Sequence, residues 1–278
     1  MTNGSTKSEI LQETEAAAGD CSRERMYMIR ILLHGCCGRM GRMITELAGN
    51  DEAAEIVAGV DARGEQYAEY PVYQSLQDVK EDVDAVIDFS NAAAVDALLD
   101  WCAEHKVPAA VCTTGLSGEQ MEKLKKTSEQ VAVLKSANMS IGINLLLNVL
   151  KECAPKLAAA GFDCEIVEKH HNQKLDAPSG TALALADAVN DSLDEKCDYV
   201  YDRSSRREKR PKNEIGISSV RGGTIVGDHD VIFAGQDEVI TFSHTAYSRA
   251  IFAKGAIAAA KYLAGKEAGF YDMQDVLA

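Results

Sequence analysis

The chain has 278 residues, of which 46% are hydrophobic, and it carries a formal net charge of −14 at pH 7 with a pI near 4.9. This length and apolar content are enough for two domains with cores of their own. Nucleic acids and anionic membranes require a basic surface, so the acidic composition argues against both as the main partner. No apolar run approaches the roughly 20 residues that span a bilayer. A small anionic ligand would therefore need a local positive pocket.

Cysteine usage and the N-terminus indicate a reducing compartment. The eight cysteines, at positions 21, 36, 37, 102, 112, 153, 164 and 197, show no C-x-x-C pair, and no apolar signal segment precedes them. We therefore expect free thiols in the cytoplasm. Residues 1–26 are rich in Ser, Thr, Glu and Ala without apolar periodicity, so they are predicted to be a disordered leader or a misplaced start.

The first strongly patterned segment predicts a strand over residues 28–34, a glycine loop over 35–41 and a helix over 42–48. This order opens a dinucleotide-binding unit, in which loop amides and the helix N-terminus receive the pyrophosphate. The spacing is G-x-x-G-x-x-G rather than G-x-G-x-x-G, so the motif alone is a weak signal.

Each residue type in this unit has a physical reason. Gly35 would make the tight turn, Gly38 would admit the pyrophosphate to the backbone, and Gly41 would let the helix pack on the strand. A second strand over 55–60 ends at Asp61, whose carboxylate is placed to accept hydrogen bonds from the adenosine ribose. The alternative is that Asp61 is only a turn residue.

The pattern of a strand followed by a helix then repeats. Strands are predicted over 83–89, 107–112 and 131–135, and helices over 92–105, 118–129 and 141–159. This alternation predicts a parallel sheet that binds its ligand at the carboxyl ends of the strands. The predicted cofactor-binding residues are Gly35, Cys36, Cys37, Gly38, Arg39, Met40, Asp61, Cys112, Thr113, Thr114, Ser136, Ala137, Asn138 and Met139.

A second loop combines basic side chains with a helix start. It connects a strand that includes residues 162–166 to an Ala/Leu-rich helix over 179–189. Asp176 or Ser179 can cap this helix, and Pro178 suits its first turn. The free backbone N–H groups at its start would bind a carboxylate. These groups belong to Ser179, Gly180 and Thr181, and Gly180 lets a ligand approach the backbone.

The same loop holds His170, His171 and Lys174. Neighbouring residues of an extended chain point to opposite sides, so one metal ion could not easily bind both histidines, and no metal site is predicted. Either histidine could be a structural one and Lys174 a solvated charge. Their proximity to a helix start instead favours a site where a bound anion takes part in proton transfer.

The C-terminal part changes character. Residues 214–220, 223–233 and 238–246 alternate like antiparallel strands joined by glycine turns, and a helix over 249–263 returns to the first domain. Arg249 at its start could reach the crevice. An exposed sheet of this kind needs a cover or a partner subunit. The basic run over 203–212 lacks aromatic residues and is interpreted as a solvated loop.

We therefore predict an α/β protein. An N-terminal Rossmann-type parallel sheet is expected over 27–140, and a second α+β domain with an open mixed sheet, for substrate binding and oligomerisation, over 141–248. Residues 249–278 form the returning C-terminal helix in this prediction.

Five motifs in order resemble the 4-hydroxy-tetrahydrodipicolinate reductases, also called dihydrodipicolinate reductases, and the resemblance runs from Met28 to the C-terminus. The longest of them is far more specific than a glycine loop. The motifs are Gly35-x-x-Gly-Arg-Met-Gly41, Cys112-Thr-Thr-Gly115, the loop at Asn138, Glu168-x-His-His-x-x-Lys-x-Asp-Ala-Pro-Ser-Gly-Thr-Ala182 and Arg221-x-Gly-x-Ile-Val-Gly227.

The resemblance implies a cytoplasmic enzyme of lysine and diaminopimelate biosynthesis, usually a homotetramer, that reduces a small cyclic dicarboxylate with NADH or NADPH. It also implies site roles. His170 would be a proton donor or acceptor, Lys174 a proton donor and His171 a substrate-binding residue, with Ser179, Gly180 and Thr181 binding a carboxylate.

Two departures from the family pattern affect the cofactor. Cys37 stands where a smaller residue is common, which could make the loop sensitive to oxidation. Members that use NADPH often carry arginine directly after the acidic residue, whereas in this chain Ala62 intervenes before Arg63. Asp61 would repel a 2′-phosphate, so we expect a slight preference for NADH.

Two other functions compete with this one. A different Rossmann oxidoreductase, such as an aspartate dehydrogenase, would share the glycine loop but would not need the histidine–lysine motif. A non-catalytic NAD(H)-sensing protein would typically carry an interaction module, and the sequence shows none.

Overall fold

A computed structural model describes residues 28–278, which form two sheets with flanking helices; the predicted leader lies outside these residues. Within this part of the chain, none of the helices has the length and apolar character to cross a membrane. The strands are β1 (Ile29–His34), β2 (Ala54–Val60), β3 (Val72–Tyr73), β4 (Ala85–Asp88), β5 (Ala109–Val111), β6 (Ala132–Leu134), β7 (Asp163–His170), β8 (Asp198–Val200), β9 (Glu214–Arg221), β10 (Gly227–Ala234), β11 (Val239–Ala246) and β12 (Gly269–Tyr271). The helices are α1 (Arg39–Ala48), α2 (Ala92–His105), α3 (Gly118–Ser128), α4 (Ile141–Ala159), α5 (Gly180–Ser192), α6 (Ala250–Leu263) and α7 (Met273–Leu277), with a 3₁₀ turn over Leu76–Asp78.

The first sheet has seven strands in the order β12-β6-β5-β4-β1-β2-β3, and all neighbours are parallel. Successive side chains of a strand point to opposite faces, so Leu33 packs with α1 and α6 while Leu32 packs with α2 and α3. The chain builds outward from β1 in one direction and from β4 in the other. This change of direction opens a crevice at the carboxyl ends of both strands, as the Rossmann prediction requires.

The second sheet has five strands in the order β11-β10-β7-β9-β8 and is mixed, as predicted. Its face toward α4 and α5 is apolar, with Ile166, Val231 and Phe233 buried there. The expectation of successive antiparallel neighbours holds for β10 and β11 but is wrong for β9, which pairs in parallel with β7 and β8. Hydrophobic alternation fixes which face of a strand is buried, but it does not fix which strand lies beside it.

Other differences concern short elements and boundaries. Helix α1 begins at Arg39 rather than 42, because Gly38 is an extended N-cap (φ −71°, ψ 170°) and the last part of the predicted loop is the first helical turn. The sequence analysis missed β3, β8, β12 and α7, since elements of two to five residues carry too little periodicity. Strand β12 extends the first sheet beyond β6.

The basic run is not a freely solvated loop. Arg203 forms ion pairs with Glu165 on β7 and Glu214 on β9, with N–O distances of 2.7 and 2.6 Å. Arg206 also pairs with Glu214, and Arg210 pairs with Glu165 at 2.9 Å. These acidic side chains are on the sheet, so the arginines hold the loop against it. The prediction was wrong for these three residues because their acidic partners lie on β7 and β9, outside the basic run itself.

Candidate functional site

The glycine loop after β1 forms a cradle that side chains would fill. Gly35 has a φ of +83°, and a Cβ there would lie 2.5 Å from the carbonyl oxygen of Phe89. A Cβ at Gly41 would collide with the carbonyl of Cys36 and lie 2.5 Å from that of Gly35. Both glycines are therefore required by the turn and by the packing of α1 on it. The first N–H groups of α1 have no partner within the helix, so they are available to an anion.

A cavity of about 520 Å³ opens beside this loop, at the carboxyl ends of β1, β2 and β4. Gly35, Gly38 and Asp61 are the predicted cofactor-binding residues that line it. Sequence reasoning missed several others, although they directly follow strand ends or lie on the adjoining turns. These include His34, Gln74, Ser75, Gln77 and Ser90, whereas Arg63, already considered from the sequence for cofactor choice, also lines the cavity.

Asp61 lies at the rim of the cavity. Its Oδ2 accepts the backbone N–H of Cys37 at 3.1 Å, and its Oδ1 accepts the backbone N–H of Arg63 at 3.0 Å. The Arg63 side chain also approaches Oδ1, with its Nε at 3.4 Å, and is 61% exposed, whereas that of Asp61 is 12% exposed. The glycine cradle, the helix amides and this oriented carboxylate together fit a dinucleotide.

Cys36 and Cys37 belong to the glycine loop, but their side chains are buried and do not line the cavity. Their sulfurs are 3.9 Å apart, and with a carboxylate oxygen of Asp61 they form a group of possible ligand atoms within 4.8 Å of one another. Burial and the adjacent Cys37 raise the pKa of the Cys36 thiol to about 12. That thiol is therefore neutral in the free protein at ordinary pH.

Of the other predicted cofactor residues, Arg39 and Met40 are the first two residues of α1, and the rest lie farther along the same edge, after β5 and β6; none of them lines the cavity. Thr113 is buried, and its carbonyl oxygen accepts a hydrogen bond from Lys135 Nζ at 2.8 Å. Burial lowers the pKa of Lys135. Asn138 Nδ2 donates to Thr181 Oγ1 at 2.9 Å, so the loop after β6 directly contacts the start of α5.

The loop between β7 and α5 has the predicted helix start. Ser179 is the N-cap, with its Oγ accepting the N–H of Ala182 at 3.1 Å, and α5 begins at Gly180. Pro178 precedes the cap instead of occupying the first turn. A Cβ on Gly180 would meet nothing within 4 Å beyond its chain neighbours and its own helix. The predicted amide of Ser179 is not free, because it donates to Glu168 Oε1 at 3.1 Å, whereas those of Gly180 and Thr181 have no partner within the helix.

The basic residues gather at the end of β7. His170 is 8% exposed, and His171 is partly buried. Lys174 Nζ pairs with Asp176 at 2.9 Å, so Asp176 serves this ion pair and not the helix cap. Burial lowers the pKa of His170, and the charge of Lys174 lowers it further, although Glu168 opposes both effects.

Three further residues complete the cluster. Glu168 is fully buried, and its Oε2 lies 2.6 Å from His170 Nδ1. Arg221 donates to both oxygens of Glu168, at 2.8 and 2.6 Å. His229 Nε2 lies 3.1 Å from Ser179 Oγ, and burial lowers the pKa of His229 to about 4. Strand alternation could have placed Glu168 on the same face as His170, but no local pattern connects Arg221 or His229 to them.

Comparison with known proteins identifies the family. Residues 29–139 match the model for the dihydrodipicolinate reductase N-terminus, and residues 142–277 match that for the C-terminus. The chain belongs to the dihydrodipicolinate reductase family. The resemblance seen in its motifs is thereby confirmed, and the family's nicotinamide dinucleotide domain accounts for the glycine cradle.

Relatives of this reductase family cover almost the whole chain. The 4-hydroxy-tetrahydrodipicolinate reductase of Caldanaerobacter subterraneus subsp. tengcongensis is 52% identical over 250 residues, covering 90% of this chain and 98% of the relative. The enzyme of the same name from Clostridium tetani is 48% identical over 254 residues, covering 91% and 99%.

Solved structures confirm the fold class. A dipicolinate-bound dihydrodipicolinate reductase from Paenisporosarcina sp. TG-14 has a TM-score of 0.72 and 25% identity, and covers 90% of this chain and 100% of its own. A probable dehydrogenase from Thermotoga maritima has a TM-score of 0.58 at 15% identity, covering 89% and 92%, and shares the fold alone.

Proposed function

We propose that the protein reduces 4-hydroxy-tetrahydrodipicolinate to tetrahydrodipicolinate with NADH or NADPH, in lysine and diaminopimelate biosynthesis. In the balanced reaction a hydride and a proton are added and one water leaves. The observation that carries the proposal is the cluster of His170, Lys174 and the α5 start, in a chain that matches the reductase family over both halves. This cluster supplies a carboxylate site and a proton donor within one loop.

The two halves of the site have separate tasks in this proposal. The cradle after β1, Asp61 and the loops after β5 and β6 bind the dinucleotide, and the bound nicotinamide supplies the hydride. The amides at the start of α5 bind one substrate carboxylate, and His171 holds the substrate. His170 or Lys174 donates the proton that follows hydride transfer. The hydrogen bond between Asn138 and Thr181 supports closure of one half on the other.

We further propose that NADH is slightly preferred. A 2′-phosphate would lie near the Asp61 carboxylate and be repelled by it. Arg63 reduces this repulsion, because its guanidinium lies at the same rim and is largely exposed. NADPH is therefore a weaker substrate but is still accepted.

The assembly and the location follow from the family resemblance and are also proposals. A homotetramer would bury the sheet face of the second half, whose outer strand β11 has exposed side chains such as Val239. Light scattering on the purified protein tests this. We place the enzyme in the cytoplasm and retain domain limits of 27–140, 141–248 and 249–278.

The test is an assay of purified protein with the condensation product of pyruvate and aspartate semialdehyde, following NADH and NADPH oxidation and identifying the product. The proposal expects rapid oxidation and loss of one water from the substrate. Tight cofactor binding without turnover would favour the sensor instead. Reduction of NAD+ by aspartate, or NADH oxidation only with a different carbonyl or imine substrate, would favour a different Rossmann dehydrogenase.

A further inference from the structure

One buried carboxylate joins the proton-donor half of the cluster to the carboxylate-binding half. Glu168 accepts hydrogen bonds from Arg221 on β9 and contacts His170 Nδ1 through Oε2. Its Oε1 accepts the backbone N–H of Ser179, the N-cap of α5, at 3.1 Å. Glu168 has no exposed surface, and its partners come from three different segments of the chain. None of the roles proposed above involves this residue.

The geometry determines which nitrogen of His170 carries a proton. An ionised carboxylate only accepts hydrogen bonds, so the contact at 2.6 Å requires a hydrogen on Nδ1. Burial would raise the pKa of Glu168, but hydrogen bonds from Arg221 and His170 hold this pKa at about 2. Glu168 is therefore ionised at working pH. The other nitrogen, Nε2, is left to exchange protons. It lies beside Gly227, where a Cβ would be only 3.0 Å from Nε2 and would crowd the ring.

We propose that Glu168, held by Arg221, is a positioning residue of the reaction. It keeps a proton on Nδ1 of His170, so that Nε2 is the atom that donates to the substrate. Through the amide of Ser179 it also fixes the start of α5 relative to that donor. This inference rests on the proposed reductase function, because it assigns the roles of donor and carboxylate site to His170 and α5.

The charges around His170 set the sign of the expected effect. Lys174 on the loop, Arg221 on β9 and His229 on β10 face the ring, and the positive charges disfavour its protonation. Glu168 is the acidic group that favours the protonated ring. Removing its charge would lower the pKa of His170. A donor must be protonated, so activity would then be lost at a lower pH on the alkaline side.

The test replaces Glu168→Gln, which keeps the shape and removes the charge. We expect turnover at pH 7 to fall about tenfold or more, and the alkaline limb of the pH–rate profile to move down by roughly one unit or more. Glu165→Gln is the matched control. Glu165 is on the same strand and is also paired with arginines, Arg203 and Arg210, but it is outside the cluster. The pH–rate profile of the Glu165→Gln variant should keep the wild-type midpoint of the alkaline limb, even if the free energy of unfolding of this variant is lower.

A second measurement needs no variant of Glu168. In wild-type protein labelled with ¹⁵N-histidine, NMR above the pKa of His170 should show its neutral ring protonated at Nδ1, with a His170→Asn spectrum providing the assignment. Protonation at Nε2, or an unshifted pH profile in Glu168→Gln, would overturn the positioning role. Absence of turnover in the wild type would instead refute the proposed function, while the NMR result would still decide the tautomer.

Discussion

We expect cofactor selectivity to be set at the rim of the cavity, where Arg63 and Asp61 lie together. The substitution Arg63→Ala removes the guanidinium that a 2′-phosphate would meet and leaves the carboxylate that we propose binds a ribose. In the free protein the contact between Arg63 Nε and Asp61 is 3.4 Å long, so little free energy is lost when the arginine turns to a phosphate. We therefore expect Arg63→Ala to lower kcat/KM with NADPH and to leave kcat/KM with NADH nearly unchanged.

The exposure of Arg63 limits the magnitude. A charge-assisted hydrogen bond contributes about 1.5–3 kcal/mol when shielded and about 1 kcal/mol or less when exposed. With 61% of the side chain in solvent, we expect a contribution of about 1–1.5 kcal/mol, which corresponds to about a 5- to 12-fold loss of kcat/KM with NADPH. The value with NADH should stay within about twofold, since no contact to a ribose hydroxyl is removed.

Arg39→Ala is the matched control for this prediction. Arg39 is the exposed first residue of α1. In the proposed binding mode the pyrophosphate, which both cofactors share, lies at this helix start. The loss of Arg39 makes the same change in net charge as the loss of Arg63, but it should weaken the binding of NADH and of NADPH equally. Steady-state kinetics with both cofactors, supported by fluorescence titration, give the two ratios. Equal losses for both cofactors in Arg63→Ala would refute the assignment of selectivity to this side chain.

Three further outcomes are expected. Lys174→Met should lower turnover about 100-fold or more while the NADH dissociation constant stays unchanged, because a proton donor is lost and no cofactor contact is removed; unchanged kcat would exclude that role. Gly255→Ala should lower the free energy of unfolding by about 1–3 kcal/mol in urea titrations, since its Cβ would collide with the Met139 carbonyl, whereas Gly118→Ala, with open space, should be tolerated. Burial depresses the pKa of His229 from 6.5 to about 4, so the unfolded chain takes up a proton first, and stability should fall by up to about 3 kcal/mol between pH 6.5 and 4. His229→Gln should lose that pH dependence, and an unchanged slope in this variant would show that another group titrates.

The parts of the site that sequence could predict are local. Gly41 is required because a Cβ there would meet the carbonyls of Gly35 and Cys36, a few residues earlier in the chain. Gly35 is required because a Cβ there would meet the backbone of Phe89, at the end of the neighbouring strand β4. Ser179 caps a helix whose start can be read from its own segment. His170 and Lys174 are four positions apart, so their proximity needed no knowledge of the fold.

The parts that sequence could not predict depend on long-range pairing. Arg221 reaches Glu168 across 53 positions, and His229 reaches Ser179 across 50. These contacts exist because β9 and β10 lie on either side of β7, an order that alternation does not encode. The ion pair of Arg203 with Glu165 spans 38 positions and was missed for the same reason.

A structure of the protein with NADH and dipicolinate, a dicarboxylate analogue, tests the central claim most directly. The account predicts one carboxylate on the amides of Gly180 and Thr181, since that of Ser179 donates to Glu168, with the ring between His170 and the nicotinamide. It also predicts the adenosine ribose on Asp61. Dipicolinate bound elsewhere, with the α5 start unused, would contradict the claim that this loop is the reaction site.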